Sequence, residues 1–271
     1  MKLEILILDL EYSNQSVPIK EEFQVVYNWE NLSRDELQNA LLISSKELKI
    51  QEASNHEIAV LGLETVKKDT FLPCTYVIED LFSLNKQEAE RIYAREKNIP
   101  VVVMETERLI IREMSAKDVD LLYHLYEDPQ NTHYVEPLFS DREEEIAYIN
   151  DYSRMIYRFY DLGMWLLFHK ETGELIGRAG VEPMNHEGEI VLELGYLIGR
   201  KWQRQGYATE SCKGILEYVC QLEQYPYVDA LIELENTESV GFIQALGFEK
   251  LKSDRIGKKP MERWRKILLF Q

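Results

Sequence analysis

The chain has 271 residues, of which 45% are hydrophobic, and this size and composition are typical of a folded protein with two domains. Its formal net charge of −17 argues against a nucleic-acid partner, because neutralising phosphates requires a basic surface, whereas an acidic surface attracts cations such as amines. No apolar run approaches the roughly 18 residues of a membrane span, and the acidic start lacks the basic region of a signal peptide. Three cysteines without bridging or metal-ligand spacing favour a reducing cytoplasm.

The first hundred residues alternate short apolar runs with helix-like segments. The runs cover residues 3–8, 23–28, 40–44, 58–63 and 75–78, and helices are predicted at 33–38, 46–53 and 85–96. This alternation indicates an α/β module with a parallel sheet. Twelve of the 13 glycines follow residue 100, and Pro100 ends the last helix, so we predict two domains, residues 1–100 and 101–271.

The second domain begins with a strand and two capped helices. The strand is Leu109–Arg112, and the spacing Ser115 to Asp118 is that of a capping box ahead of an apolar stripe. A second cap, Ser140 to Glu143, opens a longer helix that Gly163 is expected to end. Two antiparallel strands are then predicted at residues 165–168 and 175–181.

A strand, a basic turn and a helix follow. Residues 190–198 are apolar except for Glu193, which is typical of a strand covered on both faces. From Tyr207 the apolar residues fall on one helical stripe. The turn Gln203–Ala208 directs unpaired N–H groups and the positive end of the helix dipole at one point, which suits a diphosphate. The chain closes with a strand at 228–234, a short helix at 242–246 and a strand at 264–269.

Four motifs in order carry a family resemblance. They are Thr-Glu-Arg-Leu-Ile-Ile-Arg from Thr106, Gln-x-x-Gly-x-Ala from Gln203, Gly-Tyr-Ala-Thr-Glu from Gly206, and Asn-x-x-Ser from Asn236 ahead of Leu-Gly-Phe. Residues 106–266 therefore resemble the GNAT N-acetyltransferase superfamily, and in particular its branch that includes ribosomal-protein alanine acetyltransferases. The resemblance implies an α+β fold with a central mixed, mostly antiparallel sheet, acetyl-coenzyme A (acetyl-CoA) as co-substrate and an amine acceptor. The five histidines show no metal-ligand spacing, so no metal is predicted.

The resemblance also implies which residues hold the coenzyme. The pantetheine arm would lie along the end of the strand, the diphosphate on the turn, and the region near the sulfur against the later helix. The implied coenzyme-binding residues are Tyr196, Leu197, Ile198, Gln203, Arg204, Gln205, Gly206, Tyr207, Ala208, Asn236, Ser239 and Phe242. The alternative to coenzyme binding is an ordinary strand-to-helix turn for Gln203–Ala208 and a helix cap for Asn236.

The catalytic and acceptor assignments keep alternatives open. Ser239 is a catalytic candidate near the sulfur, while Ile243 stands where many family members carry a tyrosine acid. Glu193 is either a general base, direct or through water, or the partner of a salt bridge to an arginine such as Arg178. Trp165, Arg178 and Tyr196 would line the acceptor pocket, or else belong to the core.

The sequence thus favours an acetyl-CoA-dependent N-acetyltransferase that acts on a small cationic amine or a protein N-terminus by direct attack in a ternary complex. An acetyl-CoA-binding sensor without turnover is the alternative, and a homodimer is compatible with either. Residues 40–98 resemble the C-terminal half of a haloacid dehalogenase-like fold. Since Asp9-Leu10-Glu11 lacks the second aspartate and the glycine that follows it in such phosphatases, a scaffold or regulatory role is preferred for residues 1–100.

Overall fold

The chain divides into two compact units, Met1–Val101 and Val102–Gln271. The structure, a computed structural model, describes residues 2–9, 18–64, 71–186, 188–256 and 259–268. Within these ranges, no helix combines the length and the apolar character needed to cross a bilayer.

The first unit is a parallel α/β sheet, as predicted. Its described strands are β1 (Ile5–Asp9), β2 (Gln24–Val26), β3 (Ala40–Ser44), β4 (Ala59–Leu63) and β5 (Val77–Ile78), in the order β2-β1-β3-β4-β5 with parallel pairing throughout. The helices are α1 (Arg34–Gln38), α2 (Glu47–Asn55) and α3 (Lys86–Glu96), with a 3-10 turn at Pro18–Glu21.

The central strands of this unit are buried on both faces. Each residue of β3 and β4 is buried, and a hydrophobic cluster lies on either side of the sheet. This arrangement explains why the runs are continuously apolar rather than alternating. At the end of β1, Asp9 accepts a hydrogen bond from the Ser44 hydroxyl (3.2 Å) and forms an ion pair with Lys46 (3.0 Å). Leu10 and Glu11, also discussed above, lie outside the described residues.

The second unit is a mixed, mostly antiparallel sheet with helices. The helices are α4 (Val119–Tyr126), α5 (Pro129–Thr132), α6 (Arg142–Tyr152), α7 (Arg158–Tyr160), α8 (Tyr207–Gln221) and α9 (Thr237–Ala245). The strands are β6 (Val102–Glu105), β7 (Leu109–Arg112), β8 (Gly163–His169), β9 (Leu175–His186), β10 (Glu189–Ile198), β11 (Tyr227–Glu233), β12 (Glu249–Ile256) and β13 (Lys259–Ile267).

The strand order of this sheet is β12-β13-β11-β10-β9-β8-β7-β6 over the described residues. Its neighbours are antiparallel except β10 and β11, which run parallel and are in register at Glu193 and Asp229. One face packs against α8, whose buried residues include Cys212, Ile215 and Val219, so the predicted helical stripe is confirmed. The central mixed sheet predicted from the family resemblance is also confirmed.

Several predicted boundaries of the second unit are corrected. The longer helix is capped by Asp141, not Ser140, because the Asp141 carboxylate accepts hydrogen bonds from two backbone N–H groups. It continues through a π-helical turn into α7 and ends at Tyr160, because the left-handed conformation of Asp161 stops it before Gly163. The edge strands β6 and β12 were not predicted, and the later helix begins at Thr237 rather than Phe242. Leu269, at the predicted end of the last strand, is not described.

Candidate active site

A cavity of about 790 Å³ opens between the end of β10 and the first turns of α8 and α9. The cavity forms where β10 and β11 part. The two strands are in register at Glu193 and Asp229, but the later residues of β10 lead away to the turn before α8. Tyr196, Leu197 and Ile198 lie on its wall. The volume falls within the range of about 300–1,000 Å³ that small-molecule sites occupy.

The turn that leads into α8 forms one side of this cavity. Gly206 has φ +87°, a left-handed conformation that glycine adopts at little cost, and Arg204 also has a positive φ of 60°. Gln203 donates its side-chain amide to the Ile198 carbonyl (2.8 Å), and Gln205 donates to the Lys201 carbonyl (2.8 Å). These bonds fix the turn, and the N–H groups of the first turn of α8 have no intrahelical acceptor.

Two of the sequence motifs contact each other behind this turn. Glu210, in the first turn of α8, accepts hydrogen bonds from the Thr106 hydroxyl (2.6 Å), the Arg108 backbone N–H (2.7 Å) and Arg108 Nε (2.7 Å). Arg108 also donates to the Gln205 carbonyl (3.0 Å) and lies over the Tyr207 ring at 4.1 Å. Burial raises the pKa of Glu210, but the bonds from Thr106 and Arg108 outweigh it, so the net shift is downward. We call Thr106, Arg108 and Glu210 the latch.

Helix α9 supplies the opposite wall. The Tyr196 hydroxyl donates to Ser239 Oγ (3.0 Å), and the Tyr196 ring packs against Phe242 with centroids 4.6 Å apart. Burial raises the pKa of Tyr196 to about 12, so this hydroxyl keeps its proton at neutral pH. Asn236 caps α9 through its side-chain oxygen, which accepts from the Ser239 N–H (3.1 Å). The cap proposed for Asn236 is therefore present, and Asn236 also lines the cavity.

Glu193 lies on the opposite face of β10 from Tyr196. Its Oε2 is 2.9 Å from His186 Nε2, and 24% of the Glu193 side chain is exposed. Burial raises the pKa of Glu193, while the hydrogen bond and charge of His186 lower it, so the net shift is upward. The salt bridge to Arg178 is not formed, because Arg178 is in register with Leu197, four pairs further along β10, and donates to the Tyr126 hydroxyl (3.2 Å).

Residues 108–249, more than half of the chain, match the family model described as the acetyltransferase (GNAT) domain. The chain belongs to the GNAT acetyltransferase family. The family match thus confirms the fold expected from the resemblance, and GNAT acetyltransferases use acetyl-CoA.

Two relatives and one solved structure illustrate the similarity. YkkB of Bacillus subtilis (strain 168), an uncharacterized protein, is 29% identical over 157 residues, which are 58% of this chain and 90% of YkkB. The ribosomal protein uS5-alanine N-acetyltransferase of Escherichia coli (strain K12) is 27% identical over 165 residues, 59% of this chain and 84% of that protein. The ribosomal-protein-S5-alanine acetyltransferase of Vibrio fischeri shares the fold with a TM-score of 0.52 at 15% identity, covering 61% of this chain and 96% of the other.

The GNAT cavity brings together most of the residues assigned to the coenzyme. Those on its wall are Tyr196, Leu197, Ile198, Gln203, Arg204, Gly206, Tyr207, Ala208, Asn236, Ser239 and Phe242. Gln205 is not on the wall. Its side-chain amide donates to the Lys201 carbonyl, and its backbone carbonyl accepts from Arg108. Trp165 does not line the site either, because its side chain is fully buried in the core against Tyr218, so the core alternative holds for it.

Sequence reasoning missed three features of the site. The cavity is also lined by Gln130 and Asn131 of α5 and by Tyr134 and Val135 just after it, a segment without helical periodicity. The latch uses residues that were noticed only as family motifs, although an Arg and a Glu in two separated motifs are a signal for an ion pair. His186 lies beyond the end of the strand predicted at residues 175–181, and no sequence signal connects it to Glu193. The three cysteines, Cys74, Cys212 and Cys220, are free.

Proposed function

We propose that this chain transfers the acetyl group of acetyl-CoA to a primary amine by direct attack in a ternary complex. The observation that carries the proposal is the cavity between β10 and α9, which ends at the latched turn before α8. A thioester must be held, its carbonyl polarised and a neutral amine placed for attack, and this site offers groups for each task.

The turn and the end of β10 fit the coenzyme. The N–H groups at the start of α8, with Gly206 allowing close approach, would hold the diphosphate. The backbone of Tyr196–Ile198 lies on the cavity wall, where the parting of β10 from β11 leaves an edge that a pantetheine arm can pair with, as an added strand does. A backbone N–H at this edge would also polarise the thioester carbonyl.

We expect Tyr196 and Ser239 to stabilise the departing thiolate. Since Ser239 Oγ accepts from the Tyr196 hydroxyl, the hydrogen of Ser239 is free to donate into the cavity. A thiol has a pKa near 8.5, so its thiolate needs a hydrogen bond at neutral pH more than a full proton transfer. This role does not require a tyrosine at position 243, where Ile243 is 1% exposed and belongs to the core.

Glu193 is our candidate for the general base. Its carboxylate is half-buried on the face of β10 that it shares with Leu197, a cavity residue. An alkylamine with a pKa near 10.4 is mostly protonated at neutral pH and must lose a proton before it attacks. Glu193→Gln should lower kcat strongly at pH 7, with partial recovery as the pH rises and free amine accumulates. A folded variant with the wild-type rate at pH 7 would remove the base role.

The acceptor is proposed to be a small cationic amine or a protein N-terminus. The net charge of −17 favours cationic ligands, and the Escherichia coli relative is named for the alanine of ribosomal protein uS5. A panel of polyamines, other alkylamines and peptides with different first residues, assayed for release of the coenzyme thiol, tests the proposal. We expect thiol release equal to the acetylated amine formed. Tight binding of acetyl-CoA without release for any amine would favour a sensor.

A further inference from the structure

Three carboxylates lie in a row across one face of the second sheet. Glu182 on β9 is in register with Glu193 on β10, and Glu193 is in register with Asp229 on β11. Directly paired residues share a face of the sheet, so these three side chains project the same way. One of these carboxylates is buried and two are half-buried, and carboxylates in such proximity repel one another, so each needs a partner.

The partners of the three carboxylates differ in kind. Asp229 is 1% exposed and accepts from Arg263 Nε (2.6 Å) and Arg265 Nε (2.7 Å), which are permanent cations. Glu182 accepts from the Tyr152 hydroxyl, which in turn accepts from the Met164 N–H. The partner of Glu193 is the His186 imidazole, with Nε2 and Oε2 2.9 Å apart. Because a carboxylate accepts hydrogen bonds, Nε2 carries the hydrogen in this pair.

Glu193 is also more accessible than the best-paired member of the row. Its side chain is 24% exposed and that of His186 12%, against 1% for the side chain of Asp229. Along the same face of β10 the next position is Gly195, over which the Met164 side chain packs, with Sδ 3.2 Å from where a Cβ would be, and the one after is Leu197 on the cavity wall. A carboxylate that solvent reaches, held by an imidazole, thus lies on the same face of β10 as Leu197 of the cavity wall.

We propose that His186 is a positioning residue that holds the Glu193 carboxylate ionised and oriented to take the proton of the attacking amine. The inference rests on the proposed function. In the balanced step, an ammonium and the thioester give an amide, a thiol and one proton. Glu193 takes a proton from the ammonium, the nitrogen lone pair forms the bond to the carbonyl carbon, and the electrons of the broken C–S bond leave on sulfur. The nitrogen loses its second proton as the amide forms, one proton ends on sulfur, and the other reaches solvent.

The charges around Glu193 fix the direction of the effect. Burial raises its pKa, as do Glu182 and Asp229, while the hydrogen bond and charge of His186 lower it. Removing His186 therefore raises the pKa of Glu193 further, and the base stays protonated to a higher pH. The titratable and charged groups beside this pair are three carboxylates and their partners: Glu182 with Tyr152, Asp229 with Arg263 and Arg265, and Glu189, which is in register with His186, with Tyr227.

The experiment compares His186→Leu, which removes the donor, with His186→Gln, which keeps an N–H donor without the imidazole. Carbon-13 NMR of the full-length protein follows the Glu193 carboxyl, assigned with Glu193→Gln, as the pH is varied. We expect His186→Leu to move this titration up by about one pH unit and His186→Gln to restore part of the shift. In each variant, the acidic limb of kcat/KM should move by the same amount as the Glu193 titration of that variant. A Glu193 titration unmoved in a folded His186→Leu protein would overturn the inference.

A double variant separates this role from a structural one. If His186 acts through Glu193, adding His186→Leu to Glu193→Gln changes the pH profile no further. The same shift in the Glu193→Gln background would contradict the inference. The NMR titration needs no acceptor, so a failed amine panel with a shifted carboxyl titration rejects the proposed function alone. An active enzyme with an unshifted titration rejects the role of His186 alone.

Discussion

Gly206→Glu is the substitution that tests the turn before α8 most severely. The residue has φ +87°, and a Cβ there would lie 3.3 Å from Arg108 Nη2 of the latch. A side chain in this left-handed conformation costs about 1–2 kcal/mol. The new carboxylate also enters the region where N–H groups would face a diphosphate, so both stability and coenzyme affinity should fall.

The charge has the larger effect on binding. One negative charge at about 5 Å from another, with an effective dielectric constant of about 20, is repelled by about 3 kcal/mol. At about 1.4 kcal/mol per tenfold change, acetyl-CoA should bind at least about 100-fold more weakly, which calorimetry measures directly. Gly206→Ala introduces the backbone strain without the charge, and it should lose stability in thermal unfolding while keeping most of its affinity.

Gly188→Glu is the matched control. Gly188 has φ +91°, no described atom within 4 Å of a Cβ added there, and no place on the cavity wall. It carries the same strain and the same added charge, so it should lose a similar amount of stability and bind acetyl-CoA as the wild type does. Unchanged affinity in Gly206→Glu, or an equal loss in Gly188→Glu, would refute the assignment of the turn.

Three further predictions follow from the same site. Glu210→Ala should lower the free energy of unfolding at pH 7 by about 2–3 kcal/mol, because Thr106 and Arg108 lose a half-buried acceptor. The pKa of Glu210 is depressed in the folded protein. Its contribution to the free energy of unfolding is therefore present above the unfolded pKa and lost as the pH falls through the folded pKa. The free energies of unfolding measured with urea at pH 7 and in acid should then differ less in the variant than in the wild type. Ser239→Ala should reduce kcat about tenfold with little change in the KM for acetyl-CoA, and an unchanged kcat would contradict the hydrogen bond to sulfur. Residues 102–271 alone should fold and bind acetyl-CoA with wild-type affinity, because the cavity residues all lie in the second unit; a soluble fragment that cannot bind would show otherwise.

Local periodicity made most of the fold predictable. Continuous apolar runs identified the buried strands β3, β4 and β10, because a strand covered on both faces is apolar at every position. The apolar stripe from Tyr207 identified α8, because a helix buried on one face is apolar along that face. The missed strands β6 and β12 are the two edges of the second sheet. Edge strands are half-exposed, so β12 carries polar residues that resemble a loop.

Long-range partners account for the rest. The sequence indicated that Glu193 needs a partner, since it interrupts an apolar strand, and it offered Arg178 as the candidate. The structure pairs Glu193 with His186, because the extension of β9 beyond Val181 places that imidazole on the same face. The latch likewise joins residues about a hundred positions apart, and periodicity assigns a residue to a face without naming what it meets there.

A crystal structure with acetyl-CoA bound tests the central claim most directly. We predict the diphosphate within hydrogen-bonding distance of backbone N–H groups between Gln203 and Ala208, the pantetheine arm along Tyr196–Ile198, and the sulfur near Ser239 Oγ. The accessible carboxylate of Glu193 should lie on the side from which an amine reaches the thioester. A coenzyme bound outside this cavity, or one whose diphosphate does not contact the turn, would contradict the assignment of the active site.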